Sequence, residues 1–227
     1  MIEPGKVRKA YRTRISSLEN TISVFILNIV LKENTFPYLN YNHYHYRNRD
    51  VWGGLDYTDE TWPDGFALFT PATSKSDKYA DSIILMSYMK YEELAPWHDS
   101  FSTIPREEDD RGAAYQDFKN KKAEKLLQLL EGQYPDIRNK IKAMYTSTPL
   151  SYRDYIGTSD GSLYGITKDY KDPLKTFISP KTKVPNLFLT GQNINIHGVL
   201  GVSISSLVTC AEFCGMNYLV KKINETS

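Results

Sequence analysis

The segment 187–202 contains the residue types best suited to chemistry in this sequence. A short apolar strand, 187–190, ends at Gly191, and a loop leads from there to Gly198 and Gly201, which open a helix. Glycine has no Cβ, so a ligand can approach its backbone closely. The first turn of a helix presents unpaired N–H groups and a partial positive charge, which favour an anion or a centre where negative charge develops. The same glycines also suit a β-loop-α connection in which they serve packing alone.

Within this segment the residues match a known motif. Leu-Thr-Gly-Gln-Asn stands at 189–193 and His-Gly-Val-Leu-Gly-Val at 197–202. They resemble the C-terminal flavin motif of the phytoene desaturase, carotenoid isomerase and retinol saturase group, which includes bacterial NAD(P)/FAD-dependent oxidoreductases. The resemblance also takes in 14–23, 147–158 and 161–166, and so extends over nearly the whole chain. It implies a FAD-dependent oxidoreductase that transfers hydride to or from a lipophilic small molecule such as a polyene.

The resemblance also implies roles for individual residues, although it names no catalytic acid or base. It implies that Gly191 and Gln192 lie beside the ribityl and pyrophosphate part of FAD, and that the following helix begins beside the flavin ring. Tyr152, Tyr164 and His197 are the implied substrate contacts. His197 occupies a variable position in the group, and a hydrogen bond to a loop carbonyl is its alternative role. The implied cofactor-binding residues are Gly191, Gln192, Asn193, Gly198, Val199, Leu200, Gly201 and Val202.

A nucleotide-binding fingerprint is missing from this sequence. Members of the group begin with a strand, G-x-G-x-x-G and a helix, whereas Gly53-Gly54 here follow Trp52 in a turn-rich segment. We therefore expect the last half of a member: a substrate-domain portion at 1–180 and an element of a FAD-binding, Rossmann-like domain at 181–227, without the N-terminal dinucleotide-binding segment. Alone, such a fragment would hold FAD weakly or not at all and be inactive. The alternative is a cofactor-free truncated chain that acts only as a binding or oligomerising module, for example as a homo-oligomer.

Composition excludes some partners and locations. The formal net charge of +1 gives no electrostatic basis for binding nucleic acid. No apolar run approaches the roughly 18 residues of a membrane span, and the first residues lack a signal-peptide core. We therefore predict no transmembrane segment and a cytoplasmic location. Cys210 and Cys214 lie four residues apart in an apolar helical stretch, and we expect small buried hydrophobes there.

The sequence gives little support for a metal-binding site or a hydrolase active site. His43, His45 and His98 would be the candidates for zinc, but two histidines at i and i+2 with no nearby cysteine favour exposed strand residues, so no metal is predicted. No G-x-S-x-G nucleophile elbow occurs. The acidic run 107–110 is typical of a solvated loop.

The elements that position these residues follow from hydrophobic periodicity. Strands are predicted at 21–31, 38–47, 66–70 and 83–88, and in the second of them Tyr44 and Tyr46 share one face while His43 and His45 share the other. Together they predict an antiparallel sheet with flanking helices, an α+β fold. Further elements are a helix at 113–132 closed by Gly132, a helix at 137–144 capped by Asp136, a strand at 148–155, a strand at 187–190 and a helix at 202–220.

Overall fold

The computed structural model describes residues 5–101 and 111–225, so the acidic run at 107–110 lies outside the described residues. Contacts between Cα atoms divide the chain into two compact units. The sheet unit is Ile22–Leu163, and the loop unit combines the residues up to Thr21 with those from Tyr164 onward. The predicted division at 180/181 stays a prediction.

An antiparallel sheet of five strands forms the centre of the sheet unit, which confirms the predicted α+β class. The strands lie in the order β2-β3-β4-β1-β5, and every neighbouring pair is antiparallel. Four of them coincide with predicted strands. Their bounds are β1 Ser23–Leu31, β2 His43–Tyr46, β3 Gly65–Phe69, β4 Ser82–Met89 and β5 Ile141–Ser147.

One face of this sheet is covered by the helix α2, Ala113–Glu131. Phe25, Leu27 and Ile29 alternate along β1 and are buried in one cluster with Leu126 and Leu130 of α2. Alternation with period two on the strand and helical spacing on α2 bring these apolar side chains together. The predicted helix at 113–132 is thereby confirmed.

The predicted helix at 137–144 is wrong over its second half. A single turn, α3 (Ile137–Lys140), is followed at once by β5, which pairs with the interior strand β1. Ile141, Tyr145 and Thr146 have high strand propensity, and the free edge of β1 satisfies their backbone groups. Helical spacing of three apolar residues could not reveal that this edge would be available.

The predicted strand at 148–155 is also wrong, because these residues form the helix α4, Pro149–Ile156. Thr148 caps its first turn by accepting a hydrogen bond from Leu150 N at 3.2 Å, and Ser151 completes the capping box. Proline at the first helical position and Gly157 just after the last one are ordinary helix boundaries. These boundary residues are the sequence signal for the helix, and they outweigh the strand propensity of its tyrosines. The described part of the sheet unit also contains two 3₁₀ helices, Tyr91–Trp97 and Ser159–Gly161.

The loop unit contains α1 (Lys9–Ser16), α5 (Pro173–Thr176), α6 (Gly198–Cys214) and α7 (Met216–Glu225). The predicted strand at 187–190 is reduced to one β-bridge between Lys181 and Phe188. The predicted helix at 202–220 begins earlier and breaks at Gly215, where the backbone leaves the helical region. In the described part of the chain no single helix is long and apolar enough to cross a bilayer. Among the described helices, α6 and α7 reach that length and composition together, and the pair is bent by 118°.

Candidate functional site

Gly191 and Gly198 mark the two ends of the loop that precedes α6, and both have left-handed backbones. Their φ angles are +100° and +77°, which L side chains rarely adopt, and a Cβ added at either position would meet nothing within 4 Å. The space beside both glycines is therefore open to a ligand that approaches the backbone. This geometry fits the cofactor-contacting role that the resemblance implies for them.

The N-terminus of α6 lies at the end of this loop. His197 is its N-cap residue, and the cap makes no side-chain hydrogen bond to the helix. The helix therefore begins without the usual side-chain acceptor for its first N–H groups. The first turn of α6 contains Gly198, Val199, Leu200 and Gly201, whereas the predicted helix begins at residue 202. Val199 and Leu200 are 89% and 74% exposed, so their side chains are accessible.

Gly201 lets the loop fold back against the helix. A Cβ at this position would lie 2.4 Å from Ile196 O, a distance that real Cβ atoms essentially never show. The backbone of Ile196 therefore packs directly on α6, one turn from the helix start. Gly201 has a packing role in addition to the cofactor role implied by the resemblance.

Asn193 connects the loop to a second segment of the loop unit. Its side-chain Oδ1 accepts a hydrogen bond from Ile166 N at 2.9 Å, and its backbone carbonyl accepts one from Lys168 Nζ at 2.6 Å. Gln192, its neighbour, is half-buried. Asn193 thus uses its carbonyl oxygens within the protein.

The structure brings two of the three predicted substrate contacts together. The rings of Tyr164 and His197 lie 4.1 Å apart between centroids. The third, Tyr152, lies on α4 of the sheet unit. The alternative role of His197, a hydrogen bond to a loop carbonyl, stays a prediction, and ring contact with Tyr164 is the geometry observed.

The sheet unit has an apolar surface that the sequence analysis did not identify as a site. On the face opposite α2, the strand register aligns Tyr44, Ala67, Met86 and Ile26 in one row across β2, β3, β4 and β1. Tyr44 is exposed, and the other three are half-buried. A parallel row on the same face contains Phe69, Ile84, Asn28 and Tyr145. We call these two rows the open sheet face. The alternation in β2 is the available signal for it, because it places Tyr44 on the face opposite the histidines.

The histidines of β2 differ from the prediction of exposed strand residues. His43 and His45 are half-buried, with ring centroids 5.7 Å and 5.3 Å from that of Phe66. His43 Nδ1 lies 2.9 Å from Tyr134 Oη. Burial beside Phe66 follows from their position on the covered face of the sheet. His98 stacks on Tyr91 with 4.3 Å between centroids. Within 5–101 and 111–225 no group of three potential ligands could hold a metal ion.

Buried charge in the sheet unit is paired and serves the structure. The ammonium of Lys122 contacts Asp59 Oδ1 at 2.8 Å and Glu93, and lies 4.6 Å from the centre of the Trp62 ring. Tyr57 donates a hydrogen bond to Glu93 Oε1 at 2.5 Å, and burial, followed by this bond, raises the pKa of Tyr57 well above its ordinary value.

Asp154 is the second paired charge. Its side chain is fully buried and accepts hydrogen bonds from Arg111 Nη2 and from Arg153 Nε, the latter at 2.8 Å. Arg153 also donates to the carbonyl of His98 at 2.6 Å. These bonds anchor α4 to the residues that follow the 3₁₀ helix at Tyr91–Trp97, which is a structural role.

The cysteines of α6 differ from the prediction. Cys210 and Cys214 are exposed free thiols, not small buried hydrophobes. Phe213 between them is 68% exposed and touches Phe188, with 4.3 Å between ring centroids. Because α6 is apolar on nearly all sides, much of it stays uncovered by the described residues of the loop unit.

Comparisons with known proteins point to a class of reductase. No protein-family model matches the chain. The chain is similar, at low identity, to all-trans-retinol 13,14-reductases. That of Danio rerio is 26% identical over 155 residues, which are 67% of this chain and 23% of the relative. That of Homo sapiens is 25% identical over 153 residues, 66% of this chain and 22% of the relative.

The similarity has a limited extent. The chain spans about a quarter of the length of the curated relatives that it matches, since the matched residues are 22–23% of those proteins. The resemblance to the retinol saturase part of the group is confirmed in this coarse form, as a likeness to a reductase. The likeness to phytoene desaturases and carotenoid isomerases stays a prediction.

Proposed function

We propose that this chain is part of a flavin-dependent oxidoreductase that acts on a lipophilic substrate. The observation that carries the proposal is the pair of left-handed glycines, Gly191 and Gly198, which leave open space beside a helix N-terminus whose N-cap side chain, that of His197, makes no hydrogen bond to the helix. The low-identity similarity to retinol reductases supports the oxidoreductase class. FAD, when bound, supplies the hydride acceptor or donor.

The residues of the loop unit have distinct tasks in this proposal. Gly191 and Gln192 would hold the ribityl and pyrophosphate groups, and the missing Cβ of Gly191 would permit their close approach. The first turn of α6, Gly198–Val202, would present its N–H groups and partial positive charge to the flavin ring. Its contribution is electrostatic, because it favours negative charge on the ring without moving a proton.

A lipophilic substrate matches the open sheet face. Tyr44, Met86 and Ile26 present apolar surface in a row across neighbouring strands. An extended apolar molecule that covers this row would remove that surface from water, which is favourable in proportion to its area. Tyr152, Tyr164 and His197 remain proposed substrate contacts, and a polyene is the proposed substrate class.

A second candidate function is a cofactor-free binding or oligomerising module. The exposed apolar residues of α6 and α7, among them Val199, Leu200, Phe213 and Met216, favour it, because such surfaces are commonly covered by association. Under this alternative the chain forms a homo-oligomer and binds no flavin. Cytoplasmic location is a prediction common to both candidates.

A flavin titration separates the two candidates. FAD is added to the wild-type chain and to Gly191→Ala while the fluorescence and the visible spectrum of FAD are followed. We expect saturable but weak binding to the wild type and roughly tenfold weaker binding to the variant, because the added Cβ occupies the space beside the loop and strains its backbone. Gly157→Ala is the matched control, since Gly157 is also left-handed with open space around it but lies outside the loop.

The outcomes are distinct. Equal losses in the two glycine variants would contradict a specific role for Gly191. An unperturbed flavin spectrum together with a concentration-dependent oligomer would favour the binding module. For the substrate, we expect Met86→Gln to weaken binding of an apolar polyene probe. Met144→Gln, whose register partner Ile29 points to the covered face, should not weaken it.

A further inference from the structure

Hydrogen bonds between three segments hold the loop Gly191–His197 within the loop unit. The turn at Gly165 bonds to both of the other segments. Gly165 O accepts a hydrogen bond from Thr21 N at 2.7 Å, and Tyr164 N donates to Thr21 Oγ1 at 3.0 Å. On the other side, Ile166 N donates to Asn193 Oδ1 at 2.9 Å. The turn is thus fixed to the residue before the sheet unit and to the loop at once.

Gly165 makes room for the side chain of Asn193. It is buried and left-handed, with φ +73°, and a Cβ there would lie 2.0 Å from Asn193 Oδ1. A residue with a side chain would displace the amide of Asn193 from its bond with Ile166. The two residues therefore form one complementary contact.

Asn193 also controls the shape of its own loop. Ile194 N donates to Gly191 O at 3.1 Å and closes a tight turn that contains Asn193. Lys168 Nζ donates to Asn193 O at 2.6 Å and holds the same peptide from outside. The positions of Gly191 and of the α6 N-terminus therefore depend on where Asn193 is held.

We propose that Asn193 is a positioning residue for the cofactor loop and does not itself contact the cofactor. Its amide oxygen ties the loop to the Gly165 turn, and this tie sets the ring of His197 against Tyr164, the residue just before that turn. The proposal rests on the proposed flavin function of the loop. What Asn193 must supply is an acceptor for Ile166 N, which a carboxylate provides equally well.

The test compares Asn193→Ala, which removes the acceptor, with Asn193→Asp, which keeps it. We expect the amide of Ile166 to exchange about tenfold faster in Asn193→Ala, because the hydrogen bond that protects it is lost, and the ring-proton NMR shifts of His197 to move. Both should stay close to wild type in Asn193→Asp. Asn195→Ala is the control within the same loop and should leave both readouts close to wild type. Lys168→Met should change the exchange rate and the ring shifts in the same direction as Asn193→Ala, but by less.

Flavin binding supplies the second readout. We expect FAD affinity to fall about tenfold in Asn193→Ala and to be retained in Asn193→Asp. Equal loss in both variants would overturn the proposal, since it would mean that the amide group itself is recognised. Unchanged exchange at Ile166 in Asn193→Ala would overturn it too. If the wild type binds no flavin, the proposed function fails for this chain, whereas exchange and ring shifts still decide whether Asn193 positions the loop.

Discussion

The imidazole ring of His197 lies against the phenol ring of Tyr164, with 4.1 Å between their centroids and 32° between their planes. His197 is the residue from which α6 starts, so the contact fixes a ring at the helix N-terminus. Aromatic pairs in such tilted arrangements attract beyond the area they bury.

Replacing Tyr164 by Leu removes the ring beside His197 while it keeps an apolar side chain. The ring protons of His197 should then move downfield in the NMR spectrum, because they lose the shielding of the phenol. Tyr170→Leu is the control, since Tyr170 is largely exposed. An unchanged His197 spectrum in Tyr164→Leu would mean that the two rings do not pack in solution.

Gly201→Ala should destabilise the start of α6. The added methyl would meet the backbone carbonyl of Ile196 at 2.4 Å, and backbone atoms cannot rotate away as a side chain does. We expect a loss of about 2 kcal/mol of unfolding free energy, typical of overpacking, measured by urea denaturation. Gly132→Ala is the control, because a Cβ there meets its nearest atom at an ordinary 3.4 Å. Equal stability of the two variants would contradict the close packing of the loop on α6.

Lys122→Met should destabilise the sheet unit by about 2 kcal/mol. The substitution leaves Glu93 without its cationic partner in a site where the Lys122 side chain is 3% exposed. Lys121→Met is the neighbouring control, since Lys121 is exposed, and it should change the unfolding free energy by less than about 0.5 kcal/mol. A Lys122→Met variant as stable as wild type would show that the ion pairs of Lys122 only offset its burial.

Acidification should remove the contribution of Asp59. The hydrogen bond from Lys122 is the largest cause that holds the pKa of Asp59 below its ordinary value. A lowered folded-state pKa means that this contribution is fully present above the ordinary pKa of Asp and is lost as the pH falls through the lowered value. At pH 7, wild type should therefore be more stable than Asp59→Asn. This difference in unfolding free energy should shrink once the pH falls below the ordinary pKa of Asp, to about pH 3. A difference that grows on acidification would reverse the assigned direction.

The sequence pattern predicted four of the five strands, because those four have a clear strand signal. Alternation along β1 and β4, with fully buried Leu27 and Leu85, predicts strands wherever one face is covered. The helix α2 follows in the same way from its apolar spacing. The errors fell where two structures satisfied the same local pattern. Residues 141–147 suit a helix turn or an edge strand, and only the free edge of β1 decided between them.

The candidate site also has features that the sequence determined and features that depended on the tertiary structure. The glycines and the helix of segment 187–202, the resemblance to a flavin motif and the missing G-x-G-x-x-G are properties of the sequence itself, because motif residues and their spacing need no partner. Three features of the site join residues that are distant in the chain. They are the contact of Asn193 with the Gly165 turn, the ring contact of Tyr164 with His197, and the row from Tyr44 to Ile26. Only the tertiary structure decided these contacts, since strand register and loop closure depend on which distant backbone groups remain to be paired.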